Sequence, residues 1–219
     1  MRNIQRMWAG TIVCSLIFFI GGCVHVVKLS NARVEPVANP ASGPAVVVVK
    51  VTDARTFEAK PKDRESPTLE KSSDIANPDV TVRAIGRAKN NGHTFYFLYP
   101  NHEADTVKTA VRGAVENGLR DKGYVVVAND SPGATSAIPV EVTIRKFWVW
   151  WQPQVWVIEA LYDVEVDVKS PVVLNGGTET VQGHHQIHSG YMTSAITRNC
   201  VRDGLKELAV NLQAKLKSP

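Results

Sequence analysis

Between Trp156 and Lys169 the chain alternates with a period of two. Trp156, Ile158, Ala160, Tyr162, Val164, Val166 and Val168 fall on one parity, and Asp163, Glu165, Asp167 and Lys169 on the other. Successive side chains of a strand point to opposite faces, so this pattern demands a long strand with one face in a core and one in water. Ile138, Val140, Val142 and Ile144 repeat it against Pro139, Glu141, Thr143 and Arg145. Pro139 has no amide hydrogen to donate and belongs at the start or edge of its strand. A third strand is expected at 178–191, after the turn residues Asn175, Gly176 and Gly177. Three half-buried strands in succession form an antiparallel meander, whose apolar face needs a second layer.

Two amphipathic helices supply that layer. Over 105–122, Val107, Val111, Ala114, Val115, Gly118 and Leu119 recur at helical spacing, and Lys108, Arg112, Glu116 and Arg120 line the opposite side. Asp105 is placed to cap the N-terminus, and Gly123 to end the helix with positive φ. A second stripe over 194–217 comprises Ile196, Cys200, Val201, Leu205, Leu208, Leu212 and Leu216. Upstream, 45–51 is a β-branched run, suited to a strand covered on both faces. A polar loop is expected over 53–78, then a hairpin of 80–87 and 93–99 about Asn90-Asn91-Gly92, and a strand at 124–128 after the first helix. The expected fold is α+β: a mostly antiparallel sheet with two amphipathic helices packed on one face, in a single domain spanning 45–219.

The first 22 residues are set apart from this domain. Arg2 and Arg6 precede an apolar stretch containing Ile12, Val13, Leu16, Ile17, Phe18, Phe19 and Ile20, with no acidic residue nearby. That layout is an export signal, and the stretch is short of the roughly 20 apolar residues a spanning helix needs. Ile20-Gly21-Gly22-Cys23 follows and resembles a bacterial lipobox. The resemblance implies cleavage before Cys23, acylation of its sulfur and amine, and attachment to a membrane by several acyl chains. Val24 stands where an inner-membrane retention signal carries Asp, which implies an outer-membrane anchor with the domain facing the periplasm. Residues 23–44, with Pro36, Pro40 and Pro44 and no sustained period, read as the lipidated cysteine and a flexible tether.

Composition excludes further classes. Loss of Arg2 and Arg6 with the signal leaves 23 basic against 21 acidic side chains, down from 25, and no basic run. Such a surface does not suit nucleic acid. Of 3 cysteines, Cys14 leaves with the signal and Cys23 is acylated, so Cys200 stands alone on an apolar helix face as a small core residue. His184 and His188 share one strand face roughly 13 Å apart, at about 3.3 Å per residue. One zinc ion with bonds near 2 Å cannot bridge that distance. No metal or other cofactor is expected.

Two other groupings invite a role. Asp53 and Arg55 lie at a strand end, where an ion pair orders the following loop. In 147–156, strand alternation puts Trp148 and Trp150 on one face and Phe147, Val149 and Trp151 on the other. An aromatic patch of Trp148, Trp150, Trp151 and Trp156 at a hairpin tip suits a protein partner or a lipid headgroup layer, with Trp150 or Trp151 exposed. The opposing reading buries the cluster beneath helices and sheet ends. A hydrolase would draw on His93, His102 or the 184–188 histidines with a carboxylate, but no nucleophile elbow, phosphate-cradling loop or HExxH motif accompanies them.

The lipobox, the strand AVVVVKVTDAR ending at Asp53 and Arg55, the helix leading into Leu119-Arg120-Asp121-Lys122-Gly123-Tyr124, the meander and the last helix together resemble the YajG-type bacterial lipoproteins. More loosely they resemble accessory lipoproteins of envelope assembly and transport machines. The resemblance implies a non-enzymatic anchored domain that binds a protein or glycolipid partner. A lipoprotein that self-associates into a ring through edge strands is the alternative, with the hydrolase behind it.

Overall fold

A computed structural model describes residues 25–30, 32–90, 92–100 and 104–219. Among these the chain forms β1 (His25–Lys28), β2 (Ala45–Asp53), α1 (Ser72–Ile75), α2 (Pro78–Thr81), β3 (Ala84–Asn90), β4 (His93–Leu98), α3 (Val107–Lys122), β5 (Val125–Val126), β6 (Ile138–Pro153), β7 (Ile158–Lys169), β8 (Thr178–Ser189) and α4 (Ser194–Lys215). The fold is α+β, with one large mixed sheet and four helices among the described residues.

The antiparallel β6–β7–β8 meander and the β3–β4 hairpin carry most of the ladder. Pairing is parallel between β1 and β4, β2 and β5, β2 and β6, and β3 and β6. The parallel pairs are not expected from alternation, because strand direction follows from connections, and the chain between β2 and β6 is long enough for a crossover. β6 is the organiser. Its first half pairs with β2, its second half meets β3 at Gly86↔Val149 and Arg87↔Trp150, and β7 runs along its other edge from Glu141 to Pro153.

The register of β6 against β7 shifts between Ile144 and Lys146. This bulge at Arg145 restores the phase, so that Val140, Val142 and Ile144 and then Phe147, Val149 and Trp151 enter the same core. The buried residues of α3 and α4 join that core, with Val111, Val115, Leu119, Leu205, Leu208 and Leu212 fully enclosed. α4 approaches β8 closely: a Cβ on Gly183 would meet the Gly204 carbonyl oxygen at 2.4 Å.

Helix ends follow local chemistry. Thr106, rather than Asp105, caps α3, in a reciprocal box with Thr109. Asp105 instead pairs with Arg33 at 3.3 Å. Gly123 closes the helix in the left-handed region at φ 106°.

Two segments differ from expectation. The flexible tether proposed for 23–44 is docked over its described part. Leu29, Ala32 and Val34 are buried in the main core, the Tyr99 hydroxyl donates to the Ala32 carbonyl, and Asn117 bonds the backbone of Glu35 and Val37. An extended, proline-containing chain has no internal hydrogen bonds, and here side chains of the domain satisfy it. The long loop after β2 contains α1 and α2 and, with Phe57, Leu69, Ile75 and Val80, covers the other face of the sheet.

Candidate functional site

The aromatic stretch of β6 is buried on both faces. Trp148 and Trp150 pack with Leu69, Ala84, Tyr96 and Leu98 in a second core, while Phe147, Val149 and Trp151 belong to the first. The division by face is the one alternation predicts. Phe57 stands edge-on to Trp148 at 6.1 Å, Phe97 lies 5.6 Å from Trp151, and Lys146 Nζ sits 5.5 Å over Trp150. The indole of Trp151 donates to Thr197 Oγ1 at 3.0 Å, and that of Trp148 to the Arg64 carbonyl at 3.3 Å. The expectation that Trp148, Trp150 and Trp151 form an exposed contact patch therefore fails, because Phe57 and Leu69 of the 55–83 segment pack with Trp148 and Trp150, and Trp151 lies in the main core against Phe97. Trp156 is different and is 90% exposed.

Arg55 fastens that covering segment. Its buried guanidinium forms a two-point pair with Asp53 at 2.7 and 2.8 Å and donates to the carbonyls of Thr81 and Ala84, each at 2.7 Å. Its charge also lies 5.3 Å from the Phe57 ring centre. The ion pair expected at the strand end is present, and it ties β2, the covering loop and the start of β3 to one point.

Trp156 sits at one end of the sheet. Arg87 of β3 lies opposite Trp150 of β6, and each strand runs three residues further, to Asn90 and Pro153, in the same direction. Both hairpin turns, 90–93 and 154–157, consequently fall at this end. Ser189 lies opposite Ile158, so the loop from β8 into α4 falls here too. The first residue of β1, His25, lies opposite Phe95, close to the start of β4 and again at this end. Within the tip, Gln154 N–H bonds the Val157 carbonyl at 2.8 Å and its side-chain amide bonds Glu159 at 2.9 Å. These bonds close the turn and leave Val155 and Trp156 outside it, 84% and 90% exposed. Tyr191, in the adjoining loop, is 70% exposed, and Val26 on the edge strand is also exposed.

Where β3 and β6 part beyond their short pairing, a concave site of about 280 Å³ opens beside Trp151, with Lys62, Arg64, Arg87 and Lys89 around it. Arg87 Nε is buried without a hydrogen-bond partner, while the same guanidinium donates to the Asp63 carbonyl. Burial lowers the pKa of Arg87 from its ordinary value, with Tyr96 and Asp63 acting in the opposite sense. Arg64 is occupied with the Trp151 carbonyl at 3.0 Å.

Two of the three histidines of β8 face a carboxylate of β7. His184 pairs with Asp163, which also holds Lys146 at 2.7 Å, and His188 pairs with Glu159 at 3.0 Å. Among the described residues neither histidine bonds a serine, threonine or cysteine side chain, and no three His, Cys, Asp or Glu side chains group as metal ligands. Cys200 is core, as its place on the helix predicts: its thiol points to the carbonyls of Ala160 and His185, and burial pushes its pKa up to about 12. Cys23 and His102 lie outside the described residues. No helix among the described residues is long and apolar enough to cross a membrane.

No family model matches the chain, and no curated protein matches it. A crystal structure of an uncharacterized protein is similar at a TM-score of 0.44 and 11% identity, covering 87% of this chain and 97% of that one.

Proposed function

We propose that the protein is a non-enzymatic lipoprotein of the bacterial envelope. Cys23 is its acylated anchor in the outer membrane, and the domain faces the periplasm and binds a protein or glycolipid partner there. The reading keeps the resemblance to YajG-type lipoproteins and the arrangement in which two amphipathic helices close one face of the sheet. The observation that carries it is the run Ile20-Gly21-Gly22-Cys23 directly after a charged and then apolar signal, two residues ahead of the first strand. Several acyl chains hold firmly, because each buried methylene contributes about 0.8 kcal/mol. With Trp148, Trp150 and Trp151 in the core, the contact surface contracts to the tip bearing Trp156. Metabolic labelling with a radioactive fatty acid tests the anchor: the wild type takes up label, and Cys23→Ser accumulates as unlabelled precursor. Label retained by Cys23→Ser would refute it.

A further inference from the structure

We infer that the sheet end bearing Val155, Trp156 and Tyr191 rests on the bilayer surface that holds the anchor, with Trp156 seated among the lipid headgroups. The inference rests on acylation of Cys23. Two residues span at most about 7 Å of chain, so an acylated Cys23 keeps the start of β1 close to the membrane. A tether of twenty residues would leave the domain free to take any orientation. Here the chain joins the sheet at His25, and the docked segment after it adds no slack.

Register then decides which end faces the lipid. β1 starts at the end that carries both hairpin turns and the β8–α4 loop. Among the described residues, the two large aromatic side chains most open to solvent, Trp156 and Tyr191, are at this end, together with exposed Val155 and Val26. Tryptophan and tyrosine prefer the membrane interface, where an apolar ring meets hydrocarbon and its polar edge meets headgroups and water. The Gln154 N–H to Val157 carbonyl bond satisfies part of the tip's backbone, and the polar headgroup layer can bond the rest. Lys62 and Lys89, exposed beside the gap at the same end, suit lipid phosphates, although Asp63 and Glu65 in the same loop reduce that attraction. The apolar tip is therefore the principal contact.

The test uses the mature lipoprotein purified from cells, with acylation read first by mass spectrometry of its N-terminal peptide. It is reconstituted into phosphatidylcholine vesicles, with or without bromine on the acyl chains near the carbonyls. Brominated lipid should quench part of the tryptophan emission of the wild type, and Trp156→Phe should abolish that quenching while remaining vesicle-bound. Acylated, vesicle-bound protein whose emission is unaffected by brominated lipid, with Trp156 open to aqueous iodide, would overturn the docking and leave the anchor standing. Quenching that survives in Trp156→Phe would also overturn it. An unacylated N-terminus would remove both readings.

Discussion

Trp148 and Trp156 belong to one hairpin and are separated by a single stretch of β6 and its turn, yet one is fully enclosed and the other almost fully bare. Both belong to a segment whose aromatic density suggests a surface. For Trp148, the partner is a part of the chain some ninety residues earlier, the covering segment with Phe57 and Leu69, held by the Arg55 clasp. For Trp156, no element among the described residues reaches beyond the tip. Aromatic density alone thus says nothing of exposure. What matters is whether another part of the chain extends over that position. The segment expected as a polar loop and the Trp-rich strand are two halves of one packed layer.

Mutations can break or sharpen that contrast. The largest effect is expected for Trp148→Ala, which should lower unfolding free energy by about 3–5 kcal/mol through lost burial and an unfilled cavity. Denaturant titration followed by far-ultraviolet circular dichroism would measure it, and a loss under 1 kcal/mol would mean that the covering segment does not hold the ring. Next comes Arg55→Met. It removes the guanidinium donor from the buried Ala84 carbonyl and the half-buried Thr81 carbonyl and takes away the ion-pair partner of Asp53, at a cost of about 1–3 kcal/mol for a buried group left unsatisfied. Because the clasp secures the lid over Trp148, the variant should also raise hydrogen exchange through the 55–83 segment, leaving the β7–β8 ladder protected. Uniform loss of protection would show that Arg55 supports the whole fold rather than the lid. The smallest effect belongs to Trp156→Ala, which should stay within about 0.5 kcal/mol of wild type in the same titration, as exposed substitutions usually do. A larger loss would show that the tip is structural and end the comparison.

How much of this is legible beforehand depends on the range of the interactions. The bulge at Arg145 is visible as a change of phase between Ile144 and Phe147. The split of the β6 aromatics between two faces follows from alternation alone. Gly123 announces the end of α3, whereas at its start Thr106 is the cap, in a reciprocal box with Thr109, and Asp105 pairs with Arg33, seventy residues away. The tether reading fails for a similar reason. Leu29, Ala32 and Val34 carry no period, since an extended segment laid across a domain needs only occasional apolar contacts and a few donors such as Asn117.

By itself the sequence predicts the β6–β7–β8 meander, the two long helices, the faces on which the β6 aromatics fall and the burial of Cys200. These depend on period, composition and neighbouring residues, which act within a few positions of one another. The tertiary structure alone decides that four strand pairings are parallel, that the 55–83 segment closes the second face, and that β1 starts at the same end as Trp156. Each of those outcomes joins residues far apart in the chain, where the governing quantity is which surfaces fit and exclude water together, and no local pattern encodes that.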